Sequence, residues 1–164
     1  MTYVTPSTVT AGTSPITAAA QNILVNNDIA LGPFFSAWTD YTPVWTQGVT
    51  VANTKTYARY MSVGKMCWVS LRLVAAGAGT ASSQVSITLP VTAIRAPAGE
   101  FNICGAAMYY DTSVPTNYIC AVHLDANSVR FATDTSNGNY FGANPAITTA
   151  NGDFISFNIC YEIA

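Results

Sequence analysis

Hydrophobic and polar residues alternate along much of the chain after residue 38, which is the pattern of half-buried β-strands. The segment KMCWVSLRLV shows the alternation over a long run, in which the residues of one face are Cys67, Val69, Leu71 and Leu73. The last segment, DFISFNICYEI, repeats the pattern, and its apolar face consists of Ile155, Phe157, Ile159, Tyr161 and Ile163. We therefore expect this last strand to lie in the centre of a sheet.

Shorter segments with the same alternation lie between these two long ones. VSITLP, GAAMYY, NYICAVHL and SVRFA are separated by turn-forming stretches such as DANS, DTSNGN and ANGD. Many short strands at this spacing predict an all-β fold. We expect an antiparallel β-sandwich or jelly-roll-like domain over residues 34–164.

The residues before this domain follow two different patterns. Residues 1–13 are rich in Thr, Ser, Pro and Gly and hold few apolar side chains, so they predict an extended N-terminal arm. Residues 14–33 predict one short amphipathic α-helix, with Ser14 as its cap, Pro15 in its first turn and Gly32 at its end. The apolar residues of the arm and of one helical stripe are candidate assembly contacts: Tyr3, Val4, Val9, Ile16, Ile23 and Leu31.

Charged residues are scarce in this chain. Its 164 residues include six basic and eight acidic side chains, or 9% of the chain, against about 25% in ordinary soluble domains. A weakly charged surface has little self-repulsion and a low desolvation cost at contacts, so we expect a homo-oligomer. The net charge of −2 argues against a nucleic-acid partner, which requires clustered Lys and Arg.

The sequence also gives expectations about membranes and compartment. Its first residues, MTYVTPSTVT, lack the basic and apolar regions of a signal peptide, and no apolar run reaches the roughly 18 residues of a membrane span. We expect a protein that is made in the cytoplasm and has no membrane partner. Cys67, Cys104, Cys120 and Cys160 all lie in apolar runs without metal-site spacing, which favours small buried hydrophobic residues in a reducing compartment. A disulfide between Cys104 and either Cys120 or Cys160 stays open if their strands are neighbours.

Catalytic and metal-binding patterns are weak. His123 is the only histidine, and no Ser or Cys occupies a recognisable nucleophile turn beside it. The eight acidic residues are scattered, mostly in turns, although a glycosidase-like pair that meets in space stays open. The segment DTSNGNYFG departs from the spacing of a calcium loop, and there is no glycine-rich phosphate cradle. We expect no enzyme activity, no cofactor and no metal site.

Aromatic residues leave one binding chemistry open. An exposed planar ring can stack on the apolar face of a sugar, and the candidates for such a glycan contact are Tyr109, Tyr110 and Tyr140. Aromatic residues in β-sandwiches more often cap a core or anchor an interface, which is the interpretation that we prefer.

The stretch WTDYTPVWTQG and the segment that follows it carry an ordered set of motifs. The order is Y-T-P-x-W-T, a variable loop, R-Y-x-x-V-G-K, an alternating strand, and a strand that closes on L-P. The residues in these positions are Tyr41, Pro43, Trp45, Arg59, Tyr60, Val63, Gly64, Lys65, Leu89 and Pro90. Over about residues 14–93 this order resembles a module of tailed-phage virion accessory proteins, which is shared by minor tail, tail-fibre and head decoration proteins.

The resemblance implies a β-sandwich, commonly a trimer, that has structural or attachment duties on the virion and no catalytic residue. In physical terms, the motif is a fold cap made of Tyr41, Pro43, Trp45, Arg59, Tyr60, Gly64 and Lys65. Within it, Pro43 imposes an extended backbone, Trp45 fills one end of the core, and Gly64 permits a tight turn.

Our leading hypothesis is a non-enzymatic capsid decoration protein whose N-terminal arm clamps neighbouring subunits. Its partners would be copies of itself, in a trimer, and the major capsid protein or other virion proteins. The chain has no heptad or collagen-like shaft segment, which favours the head over the tail. The alternatives are a minor tail or receptor-binding protein that contacts host-surface glycans, and a polysaccharide-degrading enzyme.

Overall fold

The computed structural model describes Asn22 and residues 37–94, 102–134 and 138–164. The chain divides into two units, Met1–Ala37 and Trp38–Ala164, and the second unit holds the ten described strands. The predicted arm lies outside the described residues. So does the predicted helix, except for Asn22, whose backbone is helical.

The ten strands vary in length from two to eleven residues. In chain order they are β1 (Thr39–Asp40), β2 (Trp45–Gln47), β3 (Val49–Val51), β4 (Asn53–Val63), β5 (Met66–Ala75), β6 (Val85–Thr88), β7 (Ile103–Asp111), β8 (Thr116–Leu124), β9 (Ser128–Ala132) and β10 (Phe154–Glu162).

These strands form one sheet in which each pair of neighbours is antiparallel. Their order is β1-β4-β5-β10-β7-β8-β9-β6-β2-β3. The prediction of an all-β, antiparallel fold is therefore confirmed. The central position predicted for the last strand is confirmed as well, because β10 pairs with β5 on one side and β7 on the other.

The sheet curls around its own inner face. Phe131 of β9 lies 5.9 Å from Phe157 of β10, and Trp45 of β2 lies 6.2 Å from Tyr109 of β7, measured between ring centroids. The strands of each pair are not neighbours in the sheet, so their inner side chains can meet only if the sheet folds back on itself. The core lies between the two halves, and the alternating set that begins at Cys67 is buried there as the pattern predicted.

The hairpin between β4 and β5 turns on Gly64 and Lys65, which lie between the paired residues Val63 and Met66. Gly64 has a φ of +59°, the value of the first central residue in a type II′ turn. Glycine adopts this conformation without steric cost. The turn fixes a register in which Met61 faces Trp68 across the two strands.

The four cysteines are free thiols. Strand β7 pairs with both β8 and β10, so the strands that carry Cys104, Cys120 and Cys160 are neighbours, yet no disulfide joins them. Cys67 and Cys120 are buried, whereas Cys104 and Cys160 are half-buried. The prediction that all four are buried is therefore wrong for Cys104 and Cys160, which lie near one end of their strands.

We expect the fold to lose stability as the pH rises above about 8.5, the usual pKa of a thiol in an unfolded chain. Burial raises the pKa of Cys104 to about 11 and that of Cys120 to about 12. Both thiols are neutral in either state below the unfolded pKa, so their contribution to stability is complete there. Above it, the unfolded chain ionises first and becomes favoured.

The measurement is the urea concentration at the midpoint of unfolding, recorded at several pH values from neutral up to the pKa values of the folded thiols. A double variant with Cys104→Ala and Cys120→Ala should have a flatter dependence, up to the pH at which tyrosines ionise. A wild-type midpoint that does not change over this range would contradict the prediction.

Candidate interaction surface

Five neighbouring strands, β4, β5, β10, β7 and β8, present one outer face to solvent. The inner residues of β5 and β10 are buried, so strand alternation turns the residues between them outward. A row of small side chains crosses the middle of this face, paired from strand to strand: Ser70, Asn158, Ala106 and Ala121. Larger side chains lie on either side of this row.

One end of the face is an apolar corner, which we define as Trp38, Met61, Val63, Met66 and Trp68. Met61 is opposite Trp68, and Val63 is opposite Met66, in the register of the β4–β5 hairpin. Three of these side chains are well exposed: Trp38 at 41%, Met66 at 38% and Trp68 at 37% of their surface. The corner therefore exposes one tryptophan and one methionine of the β4–β5 hairpin, together with the tryptophan that precedes β1.

A cation holds one side of the corner in place. The guanidinium of Arg59 lies 5.0 Å from the ring centroid of Trp38 and 5.8 Å from that of Tyr57. A guanidinium over an aromatic face is attracted by the quadrupole of the ring. Arg59 thus orients Trp38 on the outer face, and its own charge is partly covered by the two rings.

The other end of the face is built from aromatic and aliphatic residues around a second cation. Arg72 lies 4.2 Å from the ring of Phe154, which in turn stacks on Tyr110 at 5.2 Å. On the neighbouring strands, Met108 is opposite Ile119, which is 68% exposed. Both ends of the face are largely apolar, Arg59 and Arg72 lie against rings, and the exposed Glu162 is opposite Met66 at the edge of the apolar corner.

Comparison of this chain with protein families, with curated proteins and with solved structures finds no match. Inference about its function therefore rests on its own residues. In the described part of the chain, no three side chains of His, Cys, Asp or Glu are grouped so that they could hold a metal ion. Over the same residues, no helix has the length and hydropathy of a membrane span.

The predicted fold-capping residues divide between the core and the apolar corner. Tyr41 packs edge-to-face on Tyr60, with 6.0 Å between ring centroids. Pro43, two residues after Tyr41, is buried. Trp45 is fully buried and meets Tyr109. By contrast, Arg59 supports Trp38 on the outer face, and the Gly64–Lys65 turn sets the register of the corner.

The structure does not bring together the three tyrosines proposed for glycan contact. Tyr109 has no exposed surface, and its hydroxyl is bonded within the core. Tyr110 lies on the outer face of β7 against Phe154. Tyr140 lies in the loop after β9, edge-to-face with His123 at 5.6 Å. The six candidate assembly contacts, from Tyr3 to Leu31, lie outside the described residues.

A buried polar cluster around Asp153 was not found from the sequence. Its Oδ2 accepts hydrogen bonds from the Tyr109 hydroxyl and the Ala150 amide, each at 2.8 Å. Its Oδ1 accepts bonds from the amide and hydroxyl of Thr112, at 2.8 and 2.7 Å. Because each carboxylate oxygen already accepts two hydrogen bonds, Asp153 fastens the loop before β10 to the β7–β8 turn.

Gln47 plays a similar part next to this cluster, and Thr149 contacts both Gln47 and Tyr109. Its Nε2 donates to the carbonyl of Ile147 at 2.6 Å, and its Oε1 accepts from the amide of Thr149 at 2.8 Å. The signal in the sequence is the position of Gln47 two residues after Trp45, on the same inward face of a strand. Its hydrogen-bond partners, Ile147 and Thr149, lie about 100 positions later, so no local pattern in the sequence indicates these contacts.

Proposed function

We propose that this chain is a non-enzymatic structural protein of a bacteriophage particle and that it assembles with copies of itself through the outer face of β4, β5, β10, β7 and β8. The observation that carries the proposal is the apolar corner on a weakly charged sheet face. Within this assembly the protein serves as a capsid decoration protein. The curled sheet supplies the two layers of a jelly-roll-like sandwich.

The composition of the corner supports a role in protein contact. Single exposed apolar residues are common on soluble proteins and need no explanation, but a contiguous group is typical of interaction sites. Tryptophan, methionine and arginine are enriched in the cores of protein interfaces, where Lys, Asp and Glu are depleted. Trp38, Met66, Trp68 and the ring-covered Arg59 match this composition.

The motif order supports the placement on a virion. The residues from Tyr41 to Pro90 that resemble the phage module include three that support the corner: Arg59, which lies over Trp38, and the turn residues Gly64 and Lys65. In proteins with this module, assembly on a particle is the expected duty. A weakly charged chain suits that duty, because many copies lie close together on a shell.

Self-assembly through the corner is tested by analytical ultracentrifugation of the full chain. We expect an oligomer for the wild type and, for Trp68→Glu, a dissociation constant higher by about thirtyfold or more, the effect of losing an interface hot spot. The matched control is Val114→Glu, which changes a 59% exposed residue in the β7–β8 turn, at the opposite end of the strands. A wild type that is monomeric at its highest soluble concentration would contradict assembly through this face.

The placement on a phage particle is tested by cryo-electron microscopy of the phage that encodes the chain. Many copies at symmetric positions on the shell would support decoration. A few copies at the tail would replace decoration by the alternative, a minor tail or receptor-binding protein. Particles without the protein would overturn the virion proposal, whatever its oligomeric state.

A further inference from the structure

A second surface lies on the outer side of β2 and β6. Trp45 and Gln47 point into the core, so Thr46 between them points outward, and Ser86 is outward between the buried Val85 and Ile87. The hydroxyl oxygens of Thr46 and Ser86 are hydrogen bonded at 2.6 Å across the two strands. Because the inner side of β2 meets β7 across the core, this surface points away from the outer face of β7.

This surface contains an open depression of about 380 Å³, lined by Thr46, Gly48, Ser83, Gln84 and Ser86. Gly48 shapes one wall. Its φ is +71°, and a Cβ at this position would lie 2.7 Å from Cβ of Thr80 and 2.8 Å from Oγ of Ser83. The backbone at position 48 can therefore lie this close to Thr80 and Ser83 only because glycine has no side chain.

The lining has a distinctive chemistry. It offers three hydroxyl groups and one carboxamide, all of which both donate and accept hydrogen bonds, and no charged group. An apolar ligand would displace the water around these polar groups without replacing its hydrogen bonds, and an anion or a cation would find no counter-charge in the lining. A neutral ligand with many hydroxyl groups satisfies both conditions.

Arg130 lies beside the same surface. Arg130 is opposite Ser86 in the β6–β9 pair, and its guanidinium lies 5.2 Å from the ring of Tyr140. The charge of Arg130 is paired with Asp125 at 2.7 Å.

We propose that this depression binds a neutral saccharide, with Thr46, Ser83, Gln84 and Ser86 as hydrogen-bonding partners of its hydroxyl groups. The binding does not depend on assembly through the apolar corner, since the two surfaces belong to different parts of the curled sheet. The occupant is defined by its chemistry, which a soluble sugar, a capsule or a cell-wall glycan can each supply.

The test is a nuclear magnetic resonance titration of the full chain with glucose, galactose, mannose, N-acetylglucosamine and short oligomers of each. We expect at least one of them to shift the amide signals of Gly48, Ser83, Gln84 and Ser86. Glucose 6-phosphate should bind no more tightly than glucose. Absence of these shifts with every sugar, or tighter binding of the phosphorylated sugar, would overturn the proposal.

Variants separate this site from general surface binding. Gln84→Ala and Ser83→Ala should each weaken binding of the same sugar about five- to tenfold, the loss of roughly one hydrogen bond. The matched control is Ser156→Ala, which removes a hydroxyl from the outer face of β10 and should leave binding unchanged. Equal effects from all three variants would refute the assignment of the depression, and the dispersion of the amide spectra shows that each variant is folded.

Discussion

A Trp45→Ala variant is expected to lose about 3 to 5 kcal/mol of unfolding free energy, the usual range when a large buried aromatic residue is truncated. Trp45 has no exposed surface and packs edge-to-face against Tyr109 across the core. Its removal would leave a cavity between the two halves of the curled sheet. The measurement is the urea or thermal unfolding of the purified variant.

A Trp45→Phe variant should lose much less. Among the described residues, the indole Nε1 of Trp45 is buried without a hydrogen-bond partner, a condition that costs about 1 to 3 kcal/mol. Phenylalanine keeps the ring contact and removes that donor. Val114→Ala in the β7–β8 turn is the control and should change stability little, because Val114 is 59% exposed. If Trp45→Phe lost as much unfolding free energy as Trp45→Ala, Nε1 would have a hydrogen-bond partner that stabilises the fold, and the prediction would be wrong.

The second large effect is expected at Asp153, where substitution by alanine should cost about 3 kcal/mol or more. The variant would leave the buried Tyr109 hydroxyl without its closest acceptor and free the Ala150 amide and Thr112 from their common partner. The loop before β10 would lose its attachment to the β7–β8 turn. Chemical unfolding at neutral pH measures the change.

Two further variants serve as controls for Asp153→Ala. Asp40→Ala removes an exposed carboxylate that lies 3.5 Å from Lys55, and its stability should stay close to that of the wild type. Asp153→Asn keeps the shape but replaces one acceptor oxygen by a donor, so it should fall between the wild type and Asp153→Ala. An Asp153→Ala protein as stable as Asp40→Ala would show that the cluster contributes nothing.

Local alternation was enough to predict the six strands from β5 to β10. It identified the inward set of β5 that begins at Cys67 and the inward set of β10 that begins at Ile155. These predictions succeed because successive side chains of a strand point to opposite faces. A strand with one buried face therefore has an apolar residue at every second position of its sequence.

The apolar corner could be predicted only in part. The glycine and lysine of the β4–β5 turn indicate a hairpin, and a two-residue turn after Val63 would place Met61 opposite Trp68. The position of Trp38 on the same face follows from the pairing of β1 with β4, which has no local signal. The pairing of β2 with β6 likewise joins segments about 40 residues apart, and it creates the hydroxyl-lined depression.

The position of β10 has a consequence for biosynthesis. The strands that flank it, β5 and β7, leave the ribosome first, and each must wait with an unpaired edge for the last strand of the unit. Open edges recruit strands from other chains. With only 14 charged side chains among 164 residues, nascent chains repel one another weakly. The interval between translation of Asp111 and of Phe154 is therefore the period in which neighbouring polypeptides on one messenger RNA are most prone to aggregate.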